Sequence, residues 1–337
     1  MAGGPIGIIA NPASGKDIRR LVAHGSVFDN QEKRSMVRRA VLGALAAGAG
    51  EFLFMPGPHR LVEDAFDGPA SNATFTPVTV PGVGGPLDTV AAARAMCEAG
   101  AAVVVTFGGD GTNRAVAKGW LDVPVIALST GTNNVFPRMM EATVAGMAAG
   151  LVAADGVGLE EVARQAKRVR IQSDGRPEDL ALIDAVLVAE RFLGARAVWA
   201  PGAIRTLVLA RAEPAAIGFS AIGGLLQPIA AEDDAALVVE VGDGGSPLLA
   251  PIAPGLFEEV LVKSVRRIEL GEVVEVTGPG VLALDGEREL PLGESVRVRM
   301  TVVRDGPRVI DAGRALRLAA CRGLFLRQQS SGGPDGN

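Results

Sequence analysis

Tyrosine is absent from this sequence, which also has only two cysteines, two histidines and 4% aromatic residues. Cys97 and Cys321 are too few for a disulfide framework and lack metal-ligand spacing, so we expect reduced, buried thiols. His24 and His59 lie in different regions, which leaves no serine–histidine–aspartate triad and no paired-histidine zinc motif. The scarcity of aromatic rings also argues against a stacking surface for single-stranded nucleic acid.

Strong charge and long apolar runs are missing as well. The net charge is −5, the sequence pI is about 5.3, and no run of Lys and Arg occurs, so we expect no nucleic-acid partner. Residues 1–12 lack the basic and apolar regions of a secretory signal. No stretch approaches the roughly 18 apolar residues of a membrane span. These absences predict a cytoplasmic protein without an integral membrane segment.

The length and the 48% hydrophobic content of the chain fit about two packed domains. Residues 1–155 alternate strand and helix patterns, which predicts a Rossmann-like α/β domain with a parallel sheet. Residues 156–326 carry short β-type runs punctuated by Gly and Pro, which predicts a second, mostly antiparallel β domain. The polar residues 327–337 are predicted to be a disordered tail.

The pattern gives individual elements in both predicted domains. In the first, strands are predicted over 6–10, 51–55, 74–80, 102–107 and 123–129, and helices over 29–47, 86–99, 110–119 and 138–153. In the second, strands are predicted over 168–172, 180–189, 204–210, 237–241, 260–265, 273–276, 281–284 and 295–303, with a helix over 313–326.

The sequence Gly-Gly-Asp-Gly-Thr at residues 108–112, which we call the glycine loop, follows the most apolar predicted strand and opens a helix. Open α/β sheets bind ligands at the carboxyl ends of their strands. Glycines let the backbone approach phosphate oxygens, and a helix N-terminus adds N–H donors. The carboxylate of Asp110 repels a bound anion unless it holds a metal cation or accepts a proton. Its presence in this loop therefore indicates a role in metal binding or proton transfer. The alternative is an ordinary strand–helix turn with Asp110 as the N-cap.

Two further loops follow predicted strands of the same sheet. Residues 11–16, the lysine loop, read Asn-Pro-Ala-Ser-Gly-Lys, and residues 129–134, the asparagine loop, read Ser-Thr-Gly-Thr-Asn-Asn. The lysine loop lacks the full P-loop spacing but offers a hydroxyl, a glycine and a lysine to phosphate. The asparagines could contact a base or ribose, although asparagine is also common in turns. We expect the three loops to meet at one edge of the sheet.

The second predicted domain holds weaker candidates. Asp285-Gly286-Glu287 lies between two strand-like runs, and a hairpin turn is the favoured interpretation from spacing alone. Residues 218–224 are rich in small side chains, as close packing against a ligand or another chain requires. Asp184 interrupts an apolar run, so it lies either at a bend or at a site.

Together the three loops resemble the NAD kinase and diacylglycerol kinase superfamily, and the chain is most similar to its AcoX group, NAD-kinase-like proteins associated with acetoin catabolism. Residues 219–224 are similar to the Tyr-Ser-x-Ser-x-Gly-Gly-Pro segment of NAD kinases, with Phe219 for the tyrosine. The Asn–acid pair of NAD kinases becomes Ile183 and Asp184. The Asp-Gly-Glu at 285–287 resembles that of bacterial lipid kinases, where the Glu is the proposed base.

The resemblance implies ATP as phosphoryl donor with Mg²⁺, or polyphosphate in place of ATP, and a homodimer or homotetramer. It implies a donor site made by the three loops: Asn11, Ser14, Gly15, Lys16, Gly108, Gly109, Gly111, Thr112, Asn113, Gly131, Thr132, Asn133 and Asn134. It places Asp184, Ser220 and Gly223 at the acceptor and assigns Mg²⁺ to Asp110 and Asp285. Asp110 is the favoured base and Glu287 its rival.

Three functions fit these observations. The favoured one is an NAD kinase, which phosphorylates the ribose 2′-hydroxyl. The presence of Ile183 in place of the asparagine weakens this hypothesis. The second is a kinase for a lipid or a small acetoin-related alcohol; a lipid is disfavoured because no basic amphipathic helix is evident. The third is a nucleotide-binding regulator without turnover, against which the intact Asp110 argues.

Overall fold

The computed structural model describes residues 3–14, 29–57, 59–66, 73–131, 133–189 and 201–326. Predicted site residues Gly15, Lys16 and Thr132, together with the predicted tail 327–337, lie outside the described residues. None of the helices within the described ranges is long and apolar enough to cross a membrane.

The first part of the chain alternates strands and helices, as predicted. Its strands are β1 (Ile6–Ala10), β2 (Glu51–Phe54), β3 (Thr74–Pro77), β4 (Val103–Gly108), β5 (Pro124–Ser129) and β6 (Ala163–Gln165). Its helices are α1 (Asn30–Ala46), α2 (Pro86–Glu98), α3 (Asp110–Gly119), α4 (Ala142–Ala153) and α5 (Leu159–Val162). Local signals set two helix starts: the Asp29 carboxylate accepts the N–H of Glu32 at 2.7 Å, and Pro86 opens α2.

The rest of the described chain is mostly β. Its strands are β7 (Arg168–Ser173), β8 (Asp179–Ala181), β9 (Asp184–Val188), β10 (Ile204–Leu209), β11 (Ala235–Ala253), β12 (Leu256–Glu269), β13 (Val273–Thr277), β14 (Gly280–Leu284), β15 (Glu287–Leu292), β16 (Arg297–Val303) and β17 (Arg308–Ile310). Its helices are α6 (Phe219–Leu226) and α7 (Ala312–Cys321).

The N-terminal sheet is parallel except at one edge. Its order is β3-β2-β1-β4-β5-β17-β6, and only β6 runs antiparallel to its neighbour. Every residue of β1, β4 and β5 is buried, which explains why these strands read as continuous apolar runs. The predicted α/β domain with a parallel sheet is therefore confirmed.

Two antiparallel sheets follow, which confirms the β-rich second part. One has the order β12-β11-β10-β9-β14-β15 and the other β13-β16-β7-β8. Both sheets contribute to one core, with Ile171 and Met300 from the smaller sheet and Val208 and Leu282 from the larger. The two sheets thus pack face to face.

The single strand predicted over 180–189 is wrong in one respect, because a bend at Leu182 and Ile183 divides it into two strands. Their backbone N–H groups donate to the carboxylate of Asp285 and not to a neighbouring strand. This bend carries the chain from β8 in one antiparallel sheet to β9 in the other.

Other differences are smaller. The β11–β12 hairpin is longer than predicted, since the glycines and prolines of 242–253 lie within β11, whose pairing with β12 has register shifts. The helix predicted over 138–153 begins only at Ala142, and the one predicted over 313–326 ends at Cys321. The expectation of buried thiols is wrong, because Cys97 and Cys321 are both exposed.

The end of the described chain returns to the N-terminal sheet. β17 lies between β5 and β6, and α7 packs on α4 with Ala315 and Ala319 fully buried. The predicted boundary at residues 155 and 156 stays a prediction. Both connections to the antiparallel sheets leave from neighbouring strands, β6 and β17.

Candidate active site

The three loops meet, as the sequence predicted. β1, β4 and β5 are adjacent in the sheet, so the lysine, glycine and asparagine loops follow neighbouring strand ends. Asn11 Nδ2 donates to Thr112 Oγ1 at 2.8 Å, which joins the first two loops. The hydroxyls of Ser14 and Thr130 are hydrogen-bonded at 2.8 Å, which joins the first and third.

The glycines of the glycine loop make room for neighbouring side chains. A Cβ at Gly108 would lie 2.5 Å from Thr112 side-chain atoms, one at Gly109 2.7 Å from Asn134 Oδ1, and one at Gly111 3.3 Å from Glu287 Oε1. None of these three glycines has a positive φ, so close approach, and not an unusual backbone, requires them. Asp110 is the first residue of α3 and Gly109 is its N-cap, so the alternative of Asp110 as an N-cap is wrong.

We predict that Gly109→Ala weakens ATP binding by about tenfold or more, because the added methyl displaces Asn134 from the glycine loop. Gly50→Ala is the matched control, since nothing lies within 4 Å of its added Cβ and its φ is ordinary. Titration calorimetry of both variants with ATP checks this. Equal affinities would contradict a role for the close approach of these two loops.

Asp110 is a partly buried carboxylate at the point where the three loops meet. It accepts the N–H of Phe136 at 2.7 Å and that of Val135 at 3.1 Å on both oxygens. Burial raises the pKa of Asp110 to about 7, and the charge of Asp285 raises it as well; the two backbone donors and Arg211 act in the opposite direction. A carboxyl group with this pKa exchanges a proton near neutral pH.

Asp285 lies in the turn between β14 and β15, which confirms the hairpin prediction. Its φ is +49°, and its carboxylate accepts the N–H groups of Leu182, Ile183 and Asp184 at 3.0, 2.8 and 3.3 Å. Burial raises the pKa of Asp285, whereas the nearby Arg114 lowers it. The turn also sets Glu287 beside Gly111, so this rival base approaches, from the antiparallel sheet, the loop that carries Asp110.

The described acidic residues do not form a metal site by themselves. No group of three or more His, Cys, Asp or Glu within the described ranges could hold a metal ion. Both predicted ligands, Asp110 and Asp285, already accept backbone N–H groups. Mg²⁺ usually binds one or two carboxylates and substrate phosphates. The described residues therefore offer no metal cage made by the protein alone, and the assignment of Mg²⁺ to Asp110 and Asp285 stays a prediction.

Lys33 was not predicted, although it holds the lysine loop. Its side chain is fully buried, and Nζ donates to the carbonyls of Asn11, Pro12 and Ser14 at 3.1, 3.2 and 2.5 Å. The sequence did contain a sign of this burial, because Lys33 lies on the apolar face of α1, three residues before Met36.

Arg211 was also missed. It follows β10 and is 6% exposed. Its Nη1 donates to the Val135 carbonyl at 3.4 Å, and its guanidinium lies 5.1 Å from the centre of the Phe136 ring. Arg211 therefore contacts the two residues whose N–H groups hold Asp110. Its sequence context, a single charge after a strand, carries no distinguishing signal.

Two predicted donor-site residues hold the loops in place. Asn113 is buried, accepts the Thr106 hydroxyl at 2.8 Å and donates to the Gly109 carbonyl at 2.9 Å. Asn134 donates to Ser129 Oγ at 2.8 Å and accepts the Asp110 N–H at 3.4 Å. Gly131 and Asn133 are partly buried in the same loop. These contacts position the loops; direct contact with a nucleotide stays a prediction.

The predicted acceptor residues are largely enclosed. Ser220 Oγ accepts the N–H of Glu213 at 3.0 Å and donates to the carbonyl of Arg211 at 3.1 Å. A Cβ at Gly223 would lie 2.2 Å from Leu209 Cδ1, so this glycine lets α6 pack on β10. Asp184 is 6% exposed and lies at the bend held by Asp285. Substrate contact by these three residues stays a prediction.

A cavity of about 330 Å³ adjoins the lysine loop. Its lining comes from the ends of β1 and β2 and the start of α2, and includes Asn11, Pro12, Met55, Leu61, Val62 and Thr89. The mainly apolar wall and the few polar groups are typical of a small-molecule pocket.

Comparisons with known proteins agree with this geometry. Residues 6–156 match the ATP-NAD kinase N-terminal domain, and residues 167–305 match the acetoin catabolism protein X C-terminal domain. The chain is 37% identical over 333 residues to acetoin catabolism protein X of Cupriavidus necator, covering 93% of this chain and 92% of that protein. The chain belongs to the acetoin catabolism protein X family. The predicted membership of the AcoX group is thereby confirmed.

This member of the acetoin catabolism protein X family also has the fold of a solved kinase. Yeast NADH kinase, in a crystal structure complexed with NADH, aligns with a TM-score of 0.55 and 13% identity, covering 98% of this chain and 91% of that one. At this identity the likeness shows the fold alone. The chain therefore has a kinase-like fold.

Proposed function

We propose that this protein is an ATP-dependent kinase that phosphorylates a hydroxyl group, with the ribose of NAD as the favoured acceptor. The observation that carries the proposal is Asp110, a partly buried carboxyl group with its pKa raised to about 7, where three strand-end loops meet. Such a group is suited to take a proton from an attacking hydroxyl near neutral pH. The match to the ATP-NAD kinase N-terminal domain supports ATP as donor.

In this proposal each loop has a task. The cavity beside the lysine loop receives the donor nucleotide, and the N-terminus of α3 receives its phosphates. The acceptor oxygen attacks the γ-phosphorus and loses its proton to Asp110, while the bond from that phosphorus to the ADP oxygen breaks. Such a reaction asks the protein mainly for positioning and charge neutralisation. Lys33 and Asn134 supply positioning by fixing the loops on either side of Asp110.

We predict that kcat/KM rises with pH up to about 7 and then levels off. The pKa of Asp110 is raised to about 7, and the base must be ionised, so activity is lost as the pH falls below that value. A pH–rate profile between pH 5 and 9 measures this. The Glu287→Gln variant should keep the same inflection. An inflection near the ordinary carboxyl range of about 4 would rule out Asp110 as the base.

A second candidate is a kinase for another alcohol, either a lipid or a small acetoin-related metabolite. Ile183 stands where the resemblance to NAD kinases places an asparagine, and it is 1% exposed. Its side chain is apolar and its backbone N–H is already bonded to Asp285, so this position offers no free polar group to a dinucleotide. This observation weakens the case for NAD as the acceptor, but it does not affect the proposed role of Asp110 as the base.

An ADP-formation assay with a panel of acceptors distinguishes these functions. The panel contains NAD, NADH, diacylglycerol, a sphingoid base, acetoin and butanediol, with ATP or polyphosphate as donor and Asp110→Asn as the matched blank. We expect a signal that depends on NAD and yields the 2′-phosphorylated product. A signal on acetoin or butanediol alone would favour the second candidate. ATP binding without turnover on any acceptor would replace both with a nucleotide-binding regulator.

A further inference from the structure

Arg211 carries a buried positive charge that its surroundings neutralise poorly. Within the described residues it forms no salt bridge, and its single hydrogen bond is the 3.4 Å contact with the Val135 carbonyl. Its Nε is buried without a hydrogen-bond partner. Burying a guanidinium in this way is costly unless something else compensates it.

The other buried arginines of the described chain are paired. Arg168 donates to both carboxylate oxygens of Asp305, at 2.7 and 3.0 Å, and Arg114 donates to Asp179 at 3.1 Å. Those two therefore serve as structural ion pairs. Arg211 differs from both, because the charges of Asp110 and Glu213 attract it only from beyond salt-bridge distance.

The position of Arg211 indicates what it would bind. It extends from the end of β10 to the two residues that follow the asparagine loop, Val135 and Phe136, which hold Asp110. Its guanidinium therefore lies beside the group that we propose as the base, on the side of the antiparallel sheets. A guanidinium is the protein cation best suited to phosphate, because its planar N–H donors match two phosphate oxygens.

We propose that Arg211 is a phosphate-binding residue, through which the antiparallel part of the molecule holds a phosphate group of the bound substrate. This inference rests on the proposed function and deepens it. The phosphate could come from the donor, as its terminal group, or from the acceptor, as the pyrophosphate of a dinucleotide. An acceptor of the second kind would exclude neutral alcohols such as butanediol.

The first test compares stability without ligand. Because Arg211 lacks a partner, Arg211→Met should unfold at a denaturant midpoint equal to or above that of the unchanged protein. Arg168→Met is the matched control and should be less stable, because it loses the two hydrogen bonds to Asp305 and the one to Glu178. A large loss of stability in Arg211→Met would show that Arg211 is a structural residue and would overturn the proposal.

The second test measures binding by titration calorimetry with tripolyphosphate, ATP and NAD. We expect Arg211→Met to weaken at least one of them by about 10- to 100-fold, the loss of a charged hydrogen bond. Weaker tripolyphosphate and ATP binding assigns the phosphate to the donor, and weaker NAD binding assigns it to the acceptor. Arg211→Lys should recover part of the affinity. Binding of all three within twofold of the unchanged protein would overturn the proposal.

These measurements need no turnover, so they separate this inference from the kinase proposal. Loss of phosphate binding in Arg211→Met, in a protein that phosphorylates no acceptor, would keep the subsite and reject the activity. Full kinase activity with unchanged binding in Arg211→Met would keep the kinase activity and reject the phosphate subsite at Arg211.

Discussion

Replacing Asp110 by asparagine is expected to abolish phosphoryl transfer while leaving ATP binding nearly unchanged. Asparagine has the same shape but cannot accept the hydroxyl proton, and removing a general base costs about 100- to 10,000-fold in rate. ATP binding should persist, because the lysine and glycine loops stay joined through Asn11 and Thr112. Steady-state kinetics and ATP titration of the same preparation measure both quantities. Unchanged turnover would rule out Asp110 as the base.

The Asp110→Asn variant should still fold. Its amide oxygen can accept the Phe136 N–H that Asp110 accepts at 2.7 Å, whereas the Val135 N–H, shared at 3.1 Å by both oxygens, is partly lost. That loss costs about 1–3 kcal/mol. Removing a negative charge that Asp285 repels offsets part of this cost.

Glu287→Gln is the paired variant, because the Glu287 carboxylate lies against Gly111 of the same loop. We expect only a partial loss of activity from it. Complete inactivation of Glu287→Gln with an active Asp110→Asn would move the base to the second carboxylate.

The largest effect on stability is expected at Asp285. Asp285→Ala removes the acceptor of three buried N–H groups, those of Leu182, Ile183 and Asp184. Each unsatisfied buried donor costs about 1–3 kcal/mol, so we expect a loss of roughly 3 kcal/mol or more in the free energy of unfolding. Alanine is also strained at the φ of +49°, which asparagine tolerates better. Asp285→Asn should therefore cost less than Asp285→Ala.

Urea denaturation measures these differences, with Glu275→Gln as the matched control. Glu275 lies on β13, where its salt bridge with Arg299 is long, at 3.6 Å, and exposed. Such surface pairs contribute about 0–1 kcal/mol, so this variant should be nearly as stable as the unchanged protein. If Asp285→Ala were equally stable, the bend at 182–184 would not depend on the carboxylate.

The sequence was sufficient wherever the deciding interactions are local. The predicted helix over 110–119 matches α3 in both bounds, because an apolar strand, a glycine turn and the helix are consecutive in the chain. The convergence of the three loops followed from the parallel sheet, which places successive strand ends at one edge.

Failures occurred where a distant residue decides the local structure. The break at Leu182 is made by Asp285, 103 positions away, and within 180–189 only Asp184 indicated a bend, without indicating the residue that holds it. Arg211 reaches across 76 positions to Val135, and its burial depends on two parts of the chain meeting. Lys33 is intermediate: its face of α1 is readable, but the three carbonyls that accept from it belong to another loop.

The adjacency of β6 and β17 limits how the parallel sheet and the antiparallel sheets can move relative to each other. Both polypeptide crossings between the parallel sheet and the antiparallel sheets start from this strand pair, where Arg308 lies opposite Gln165. A body attached at two neighbouring points can swing about the line through them, but it cannot slide or twist freely away. Any movement of Glu287 away from Gly111, against which it lies, would then be a rotation about a single axis.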